Sequence, residues 1–323
     1  MTTRYALIGA AGYVAPRHMR AIAETGGELA CALDPSDSVG VLDGYFPAAK
    51  FFIEFERFDR HVYKLKRRGD GSRIDYVAIC SPNYLHDAHV RFALRSDADA
   101  ICEKPLVLNP WNVEPLREIE HETGRRVYAI LQLRLHPSIV ALRQRVLDAP
   151  ASQRFDVDLT YIAARGAWYQ TSWKSDRAKS GGVSSNIGVH FFDMLCWIFG
   201  APRDCIVHHE DTFRAAGRLV LERADVRWLL SVDAADLPQQ ARALGLRTYR
   251  ALTLAGEAVD FSGGFEDLHT ESYRRILAGD GFSLSDTEPS IALVHRIREA
   301  TPVGLRDDAH PLLAQALATE ALA

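Results

Sequence analysis

The sequence predicts an α/β protein of two domains: a doubly wound parallel sheet over residues 1–133, then an α+β domain with a largely antiparallel open sheet over residues 134–323. Three observations predict this. The N-terminal strand runs through a glycine-containing turn into a helix. Near-continuous apolar strands then alternate with helical segments, as in a parallel sheet covered on both faces. In the second half, strands that alternate apolar and polar residues are joined by short turns.

Length and composition agree with this division. A chain of 323 residues exceeds what one hydrophobic core usually supports. The sequence is 47% hydrophobic and 25% charged, and its net charge of −4 at pH 7 gives no reason to expect nucleic acid or an anionic membrane as a partner. The longest apolar stretch, Phe191–Phe199, is too short to span a bilayer.

The five cysteines are scattered and form no C-x-x-C pair. We therefore expect buried, reduced thiols. No secretory signal precedes the first strand. Both observations predict a cytoplasmic protein.

The N-terminal turn is suited to a dinucleotide. The strand Tyr5–Ile8 ends at Gly9, and a helix is predicted over Pro16–Glu24. Gly9 allows a tight turn, and Gly12 leaves room for the backbone to approach a pyrophosphate. The free N–H groups and the positive dipole end of the helix can hold that anion.

A carboxylate follows at the distance that a ribose requires. The next apolar run, Leu29–Leu33, ends on Asp34, which can accept hydrogen bonds from both ribose hydroxyls. A 2′-phosphate would meet like charge there, so NAD is favoured over NADP. The turn has the form G-x-x-G-x-x-A, with Ala11 and Val14 at two glycine positions of the usual fingerprint. A turn without a cofactor therefore remains an alternative.

The remaining elements follow from the apolar spacing. In the first domain we predict the strands Tyr76–Cys80, Ala100–Cys102 and Val127–Leu131 and the helices Asp87–Leu94 and Val113–Thr123. In the second domain we predict four strands, two helices packed on their sheet and a short helix after Pro311. The strands are Phe155–Ala163, Gly217–Glu222, Val226–Val232 and Arg247–Ala255, and the helices are Val189–Phe199 and Glu271–Leu277. An apolar open face on this sheet would favour self-association.

Lys104 is a candidate catalytic residue because it follows a strand of the parallel sheet, where doubly wound sheets bind their ligands. The positive nicotinamide ring of NAD+ would lower the pKa of such a lysine towards a range useful for proton transfer. Pro105 fixes the turn, and Glu103 can orient or shield the lysine. A solvated surface lysine is the alternative.

A second polar group lies in an apolar segment of the second half. On a helix, Asn186, His190 and Asp193 would form one stripe at i, i+4 and i+7. Such a stripe points into a wet cavity or is satisfied within the core, and both readings stay open.

Metal sites are the weaker hypothesis. His86-x-x-His89 and His208-His209-Glu210 lack a convincing third ligand, and adjacent histidines on a strand point to opposite faces. We predict no metal.

Four motifs in this order resemble the Gfo/Idh/MocA oxidoreductases. They are the G-x-x-G-x-x-A turn, Ser81-Pro82-Asn83-Tyr84-Leu85-His86, Glu103-Lys104-Pro105, and the Gly-Gly-x₅-Gly-x-His-x-x-Asp segment that contains His190. The resemblance implies a Rossmann domain joined to an open α/β domain that supports a homo-oligomer, a tetramer or a dimer. It implies Lys104 and His190 as the catalytic pair and places His86 near the nicotinamide. Many members carry Asp where this chain has Asn186, so a proton relay through that carboxylate is in doubt.

The turn chemistry and the resemblance together imply a set of cofactor-binding residues. They are Gly9, Ala11, Gly12, Tyr13, Val14, Asp34, Ser81, Asn83, His86, Glu103 and Lys104.

A narrower resemblance is to a nucleotide-sugar branch, the UDP-N-acetylglucosaminuronate 3-dehydrogenases of the WlbA/WbpB type. It rests on the segments Ala15-Pro16-Arg17-His18, Arg165–Lys174, Lys179–Gly182 and His269-Thr270-Glu271-Ser272-Tyr273. It implies NAD-dependent oxidation of the C3 hydroxyl of UDP-2-acetamido-2-deoxyglucuronate to a 3-keto sugar. The product would supply diacetamido-uronic acid sugars for lipopolysaccharide O-antigen.

The substrate residues implied by this branch share polar or aromatic character. They are Lys104, Arg165, Tyr169, Ser172, Trp173, Lys174, Asn186, His190 and Tyr273. Arg165, Ser172 and Lys174 are expected to bind the uronate carboxylate. Either Lys104 or His190 would accept the hydroxyl proton. A dehydrogenase of another sugar or cyclitol, and a non-catalytic NAD-binding sensor, are the alternative functions.

Overall fold

The computed structural model describes residues 2–261 and 263–320. By its internal contacts the chain forms two compact units. The first combines the chain up to Leu135 with Phe265–Glu288, and the second combines His136–Gly264 with the chain from Pro289 onward. A boundary at 133, as predicted, lies near the first divide, but it does not anticipate that residues 265–288 return to the first unit.

The described residues form twelve strands in two sheets. In chain order they are β1 (Arg4–Ile8), β2 (Glu28–Leu33), β3 (Lys50–Phe52), β4 (Tyr76–Ile79), β5 (Asp99–Cys102), β6 (Val127–Ala129), β7 (Phe155–Ala163), β8 (Pro202–Glu210), β9 (Arg214–Leu221), β10 (Ala224–Ser231), β11 (Thr248–Leu254) and β12 (Glu257–Ala258).

Helices connect these strands. In chain order they are α1 (Ala15–Glu24), α2 (Phe55–Arg68), α3 (His86–Arg95), α4 (Val113–Thr123), α5 (Pro137–Asp148), α6 (Trp168–Thr171), α7 (Arg177–Ser180), α8 (Gly182–Asn186), α9 (Gly188–Phe199), α10 (Gln239–Ala243), α11 (Leu268–Leu277), α12 (Leu284–Glu299) and α13 (Leu313–Glu320).

The first unit contains a six-stranded sheet in the order β3-β2-β1-β4-β5-β6, and every neighbouring pair is parallel. The chain reverses its direction of strand addition between β1 and β4, which makes the carboxyl ends of these strands the ligand-binding edge. The inner strands are almost fully buried, as their continuous apolar runs require. The predicted doubly wound sheet is confirmed.

Helix α11 differs from its prediction. The sequence places the helix over Glu271–Leu277 on the second sheet, and this is wrong. The helix packs against α1 in the first unit, where Tyr273 and Ile276 join the core around Tyr5. Apolar periodicity shows that a helix has a buried face but not which sheet buries it.

The second unit contains a mixed sheet in the order β12-β11-β7-β10-β9-β8. Strands β7 and β10 run parallel, and all the other neighbours are antiparallel. Trp228 anchors its core, with the ring of Phe192 from α9 edge-on at 5.1 Å between centroids. Gly217 faces the same indole, and a Cβ there would lie 2.7 Å from it. The largely antiparallel sheet is confirmed.

The other face of this sheet carries charge. Asp158 and Arg227 form an ion pair across β7 and β10, with 2.6 Å between Arg227 Nε and an Asp158 oxygen. Part of the face is covered where Leu313 of α13 packs on Ala216 and Leu229. The apolar open face that would have favoured self-association is therefore not what these strands present.

Among the described helices, none is both long and apolar enough to cross a bilayer.

Candidate active site

The turn after β1 is built so that only glycine fits. Gly9 has a φ of +89°, and a Cβ there would lie 2.6 Å from the carbonyl carbon of Cys80 and 2.7 Å from the amide nitrogen of Ser81. A Cβ on Gly12 would lie 3.0 Å from the carbonyl oxygen of Gly9. The turn thus lies directly against the end of β4, at the ligand-binding edge of the sheet.

Asp34 ties this turn to the end of β2. One carboxylate oxygen accepts a hydrogen bond from the Ala11 N–H at 2.9 Å, and the other accepts from the Ser36 N–H at 2.8 Å. The carboxylate therefore stands beside the glycine turn, as recognition of a ribose requires.

The start of α1 completes a dinucleotide cradle. Val14 precedes the helix, and no side chain caps the first-turn N–H groups. Tyr13 is exposed, with the Arg17 guanidinium over its ring at 5.6 Å. A tight glycine turn, the positive end of a helix that no side chain caps, and a carboxylate beside them fit the pyrophosphate and ribose of NAD.

The turns after β4 and β5 are joined by His86. Its Nδ1 lies 2.7 Å from the carbonyl oxygen of Pro105, and its Nε2 lies 2.8 Å from the carbonyl oxygen of Ser81. The Ser81 hydroxyl in turn lies 2.8 Å from Nδ1 of His89. Ser81, Asn83 and His86 are all buried. They brace the edge of the sheet where NAD is expected.

Glu103 ends β5 inside a buried polar cluster. Its Oε1 lies 3.0 Å from Nε2 of His18 on α1 and 2.9 Å from Nε2 of His269 on α11. Nδ1 of His18 lies 2.8 Å from the hydroxyl of Tyr273. We call His18, Glu103, His269 and Tyr273 the Glu103 cluster.

The hydrogen bonds decide the charge of this cluster. Burial by itself would raise the pKa of Glu103, but the hydrogen bonds from His18 and His269 outweigh burial and hold the pKa well below its usual range. Burial lowers the pKa of His18. The cluster therefore contains an ionised carboxylate and a neutral His18 at pH 7.

Lys104 follows this carboxylate directly. Its own backbone N–H donates to Oε2 of Glu103 at 3.3 Å, and its side chain is partly exposed. The Lys104–Pro105 peptide bond is cis. Tyr273, predicted to contact substrate, is instead fully buried with its hydroxyl on His18, so we leave it out of the substrate residues below.

In the second unit, the segment after β7 gathers several predicted substrate residues. Tyr169 is buried, and its carbonyl oxygen accepts a hydrogen bond from the Ser172 hydroxyl at 2.8 Å. Ser172 thus shapes the local turn, and its oxygen also accepts from the Lys174 N–H at 3.3 Å.

Lys174 lies among aromatic rings. Its Nζ is 5.2 Å from the Trp168 ring centroid and 5.7 Å from that of Trp173. Burial, helped by the nearby charge of Arg165, lowers the pKa of Lys174. Arg165 and Lys174 therefore form one positive region, as the predicted carboxylate site requires.

A cavity of about 180 Å³ opens beside Lys174. Tyr169, Arg177 and Glu210 also line it. Glu210 accepts a hydrogen bond from the Ser184 hydroxyl at 3.1 Å, and burial raises its pKa. The cavity thus presents charges of both signs, which suits a polar ligand.

The predicted stripe of Asn186, His190 and Asp193 is interrupted. Helix α8 ends at Asn186, and α9 begins at Gly188, so only His190 and Asp193 share a helix. The Nδ2 of Asn186 donates to the Tyr169 hydroxyl at 3.4 Å, His190 is partly exposed and Asp193 is buried. The break lets Gly188 pack closely, since a Cβ there would lie 2.7 Å from both Leu230 and Phe192.

The residues of both candidate metal motifs make hydrogen bonds to other protein groups. His208 bonds to Asp308, His209 bonds to Asp211, and Glu210 accepts from Ser184. Within residues 2–261 and 263–320, three potential metal ligands come together at His18, Glu103 and His269 alone.

Comparison with known proteins agrees with this geometry. Residues 3–130 match the model of the oxidoreductase family with an NAD-binding Rossmann fold, and residues 141–223 match its C-terminal α/β domain. The chain belongs to the Gfo/Idh/MocA oxidoreductase family. The predicted family, the Rossmann domain and NAD as the cofactor are thereby confirmed.

A crystal structure of the WlbA (WbpB) dehydrogenase of Thermus thermophilus with NAD and alpha-ketoglutarate is 48% identical, covers 97% of this chain and all of its own, and superposes with a TM-score of 0.93. A structure of that enzyme with NAD and UDP-GlcNAcA has the same identity and coverage, with a TM-score of 0.92.

Curated relatives match over shorter stretches. A putative UDP-kanosamine synthase oxidoreductase subunit of Amycolatopsis mediterranei is 32% identical over 54% of this chain and 48% of its own length. The putative oxidoreductase YteT of Bacillus subtilis is 28% identical over 40% of this chain and 31% of its own length. The chain thus spans half or less of these relatives.

The sequence predicted no cofactor-binding, substrate-binding or catalytic role for four residues of these sites. His18 and His269 were quoted only as parts of motifs, and Arg177 and Glu210 of the cavity were not predicted as substrate residues. The available signal was that His18 and His269 each lie in a segment that carries the resemblance to the nucleotide-sugar branch. Nothing in the local sequence pairs either with Glu103.

Proposed function

We propose that this protein is an NAD-dependent dehydrogenase that oxidises the C3 hydroxyl of UDP-2-acetamido-2-deoxyglucuronate to a 3-keto sugar. The observation that carries the proposal is the 48% identity, over 97% of this chain, to the Thermus thermophilus enzyme crystallised with NAD and UDP-GlcNAcA. The retained Lys104 and His190 favour an enzyme over a non-catalytic sensor.

The first unit holds the cofactor in this proposal. The positive end of α1 holds the pyrophosphate, the glycines of the Gly9–Gly12 turn let it approach closely, and Asp34 accepts hydrogen bonds from the ribose. Tyr13, Ser81, Asn83 and His86 are carried forward as cofactor-binding residues at the same edge. NAD+, when bound, supplies the acceptor for the hydride from C3.

Lys104 and His190 manage the hydroxyl proton. One of them takes the proton as C3 loses its hydride, and the other donates a hydrogen bond to the developing oxyanion. We assign the nearer position to Lys104 and the relay or base to His190. The unperturbed pKa of imidazole leaves the reverse order open to test.

Arg165 and Lys174 bind the C6 carboxylate of the sugar. The two cations are close enough for the charge of Arg165 to lower the pKa of Lys174, and a carboxylate would relieve that repulsion. Ser172 orients the turn that carries Lys174. Tyr169, Trp173 and Asn186 are the further proposed substrate contacts.

The product fits the biosynthesis of diacetamido-uronic acid sugars for bacterial lipopolysaccharide O-antigen. A 2-oxo acid is a candidate oxidant for NADH, since alpha-ketoglutarate is bound in a structure of the Thermus thermophilus enzyme. We further propose a cytoplasmic homo-oligomer, a tetramer or a dimer, and light scattering coupled to size-exclusion chromatography would measure its mass.

The test is the absorbance of NADH with UDP-GlcNAcA as substrate, with UDP-GlcNAc and myo-inositol in parallel. Each reaction is repeated with 2-oxoglutarate, which would reoxidise NADH and so draw an unfavourable alcohol oxidation forward. In these repeats the keto sugar and the 2-hydroxy acid are measured instead of NADH.

Turnover with the uronate alone supports the proposal and the requirement for a C6 carboxylate. Activity on myo-inositol without activity on the uronate would keep the family and reject the substrate.

A further inference from the structure

Two motifs remain without a role in the proposed reaction. His18 belongs to the segment after the glycine turn, and His269 belongs to the segment that returns to the first unit. They lie 251 residues apart in the chain, yet each places a ring nitrogen within 3.0 Å of the same oxygen of Glu103.

The hydrogen bonds of the Glu103 cluster are consistent with one arrangement of protons. An ionised carboxylate only accepts, so Nε2 of both His18 and His269 must carry the proton that it donates. Nδ1 of neutral His18 is then an acceptor, and the Tyr273 hydroxyl at 2.8 Å donates to it. Each of the four buried side chains therefore has a hydrogen-bond partner within the cluster.

The cluster is hydrogen-bonded to the backbone nitrogen of Lys104. Oε1 of Glu103 takes both imidazole N–H groups, and Oε2 accepts the backbone N–H of Lys104 at 3.3 Å. The orientation of the carboxylate, fixed by α1 and α11, therefore sets the position of the backbone from which the lysine side chain starts.

We propose that His18, His269 and Tyr273 are positioning residues for Lys104: they hold the Glu103 carboxylate in one orientation, and Glu103 fixes the turn that aims the lysine. This inference rests on the proposed role of Lys104 in turnover. It also gives a reason for the return of residues 265–288 to the first unit, since α11 supplies two of the three residues.

Other titratable groups face the cluster and must be considered in a pH experiment. Burial raises the pKa of the Cys80 and Cys102 thiols well above the usual range, so both stay neutral. The charge of Arg17 contributes to the lowered pKa of His18. The charges of Glu103 and Lys104 act in opposite directions on the pKa of His86. Glu103 is the one carboxylate of the cluster, so it is the group whose protonation the two imidazoles control.

Glu103→Gln is the first variant. Its amide oxygen can accept from both histidines, and its NH₂ then faces the Lys104 N–H, so that two donors meet. We expect kcat to fall about 100-fold, the size that a small misplacement of a catalytic group produces. Although Glu103 was predicted as a cofactor-binding residue, both of its oxygens accept hydrogen bonds from the protein, so the affinity for NAD+ should stay unchanged. Ser272→Ala, a buried change on α11 outside the cluster, is the matched control with native kcat.

His269→Leu and His269→Gln separate positioning from folding. His269→Leu removes one donor, so the carboxylate is no longer held and kcat falls, while burial raises the pKa of Glu103 and the ¹³C signal of its carboxyl group titrates at higher pH than in the native enzyme. His269→Gln retains an N–H donor and should restore both kcat and the native carboxyl titration. A loss of kcat in His269→Leu with an unchanged carboxyl titration would overturn the proposal.

A second readout does not depend on the substrate. In ¹H–¹⁵N spectra of the imidazoles, His18 and His269 should each show an exchange-protected Nε2–H signal that Ser272→Ala keeps and Glu103→Ala loses. Native-like kcat in Glu103→Gln, or a tightly bound metal ion on the purified protein, would also overturn the proposal. Absence of native turnover on UDP-GlcNAcA with both imidazole signals present would instead count against the proposed function.

Discussion

Two glutamates, one in each unit, are equally buried, and yet their pKa values shift in opposite directions. Glu103 and Glu210 each expose 8% of their side chain. The pKa of Glu103 lies well below the ordinary range, whereas burial raises the pKa of Glu210. Burial therefore does not decide the charge of these carboxylates.

The difference comes from their donors. Glu103 receives two imidazole N–H groups at 3.0 and 2.9 Å. Glu210 receives the Ser184 hydroxyl at 3.1 Å, and the Arg177 guanidinium lies 4.0 Å away. Two strong donors offset the loss of hydration, but one hydroxyl and a distant cation do not.

The two regions have different purposes in the proposed reaction. The polar groups around Glu103 are satisfied by one another, so this region fixes geometry before any ligand arrives. Glu210 lines a cavity with Lys174 and Arg177, so its charge and theirs respond to what binds there. In the proposed reaction, the first region positions Lys104 and the second recognises the substrate.

The largest expected effect is on Lys104, the residue that the first region positions. Lys104→Ala should lower kcat about 1,000-fold, within the range for loss of a general acid or base, while NAD+ still binds. Rates and nucleotide titration of the same preparation measure the two quantities. Native turnover in this variant would contradict the proposal that the Glu103 cluster positions a catalytic lysine.

The next effect concerns recognition in the second region. Lys174→Met should raise KM for the uronate about 10- to 100-fold, the contribution of one hydrogen bond to a charged group, with kcat nearly unchanged. Because the pKa of Lys174 is lowered, the native KM should also rise at a pH below that at which an ordinary lysine titrates.

Lys179→Met is the matched control for Lys174. Lys179 lies in the same segment, is exposed and pairs with Asp176. Equal KM values for the two variants would refute a specific role for Lys174.

The smallest expected effect is on the free energy of unfolding, and it compares the two glutamates most directly. At pH 7, Glu103→Gln should lower the free energy of unfolding by on the order of 1–3 kcal/mol, since a satisfied buried carboxylate is lost. Glu210→Gln should be neutral or stabilising, because it removes a carboxylate that is costly to ionise where it is buried. Denaturant unfolding of both variants measures the difference.

The two variants should also depend on pH in opposite ways. The folded pKa of Glu103 is below that of the unfolded chain, so its contribution is present above about pH 4.3 and is lost as the pH falls. The folded pKa of Glu210 is raised, so the native protein loses stability as the pH rises above about 4.3, and Glu210→Gln does not. A change of the same sign in the free energy of unfolding of both variants at pH 7 would contradict the comparison.

Local patterns predicted most of the fold. The continuous apolar runs of the inner strands and the turn at Gly9 are short-range signals, and the structure confirms them. Strand β3 was missed because it has only three residues, none of them buried. The helix break at Ile187 was missed because it depends on the close approach of Gly188 to Leu230, a residue far away in the chain.

The candidate site was predictable where a motif is contiguous. Lys104, Asp34 and the glycine turn stand out from the sequence itself. The Glu103 cluster does not, because its partners lie 85 and 166 residues from Glu103 in the chain. Tyr273 illustrates the same limit, since its aromatic character suggested a sugar wall and its fold position makes it a hydrogen-bond donor to His18.

The most direct measurement of the central claim uses UDP-GlcNAcA carrying deuterium at C3 together with unlabelled NAD+. After a single turnover the nucleotide is extracted and its mass determined. The account predicts reduced nucleotide that carries one deuterium, formed with a 3-keto sugar. Reduced nucleotide without deuterium, or no 3-keto sugar when 2-oxoglutarate is added to reoxidise the nucleotide, would contradict it.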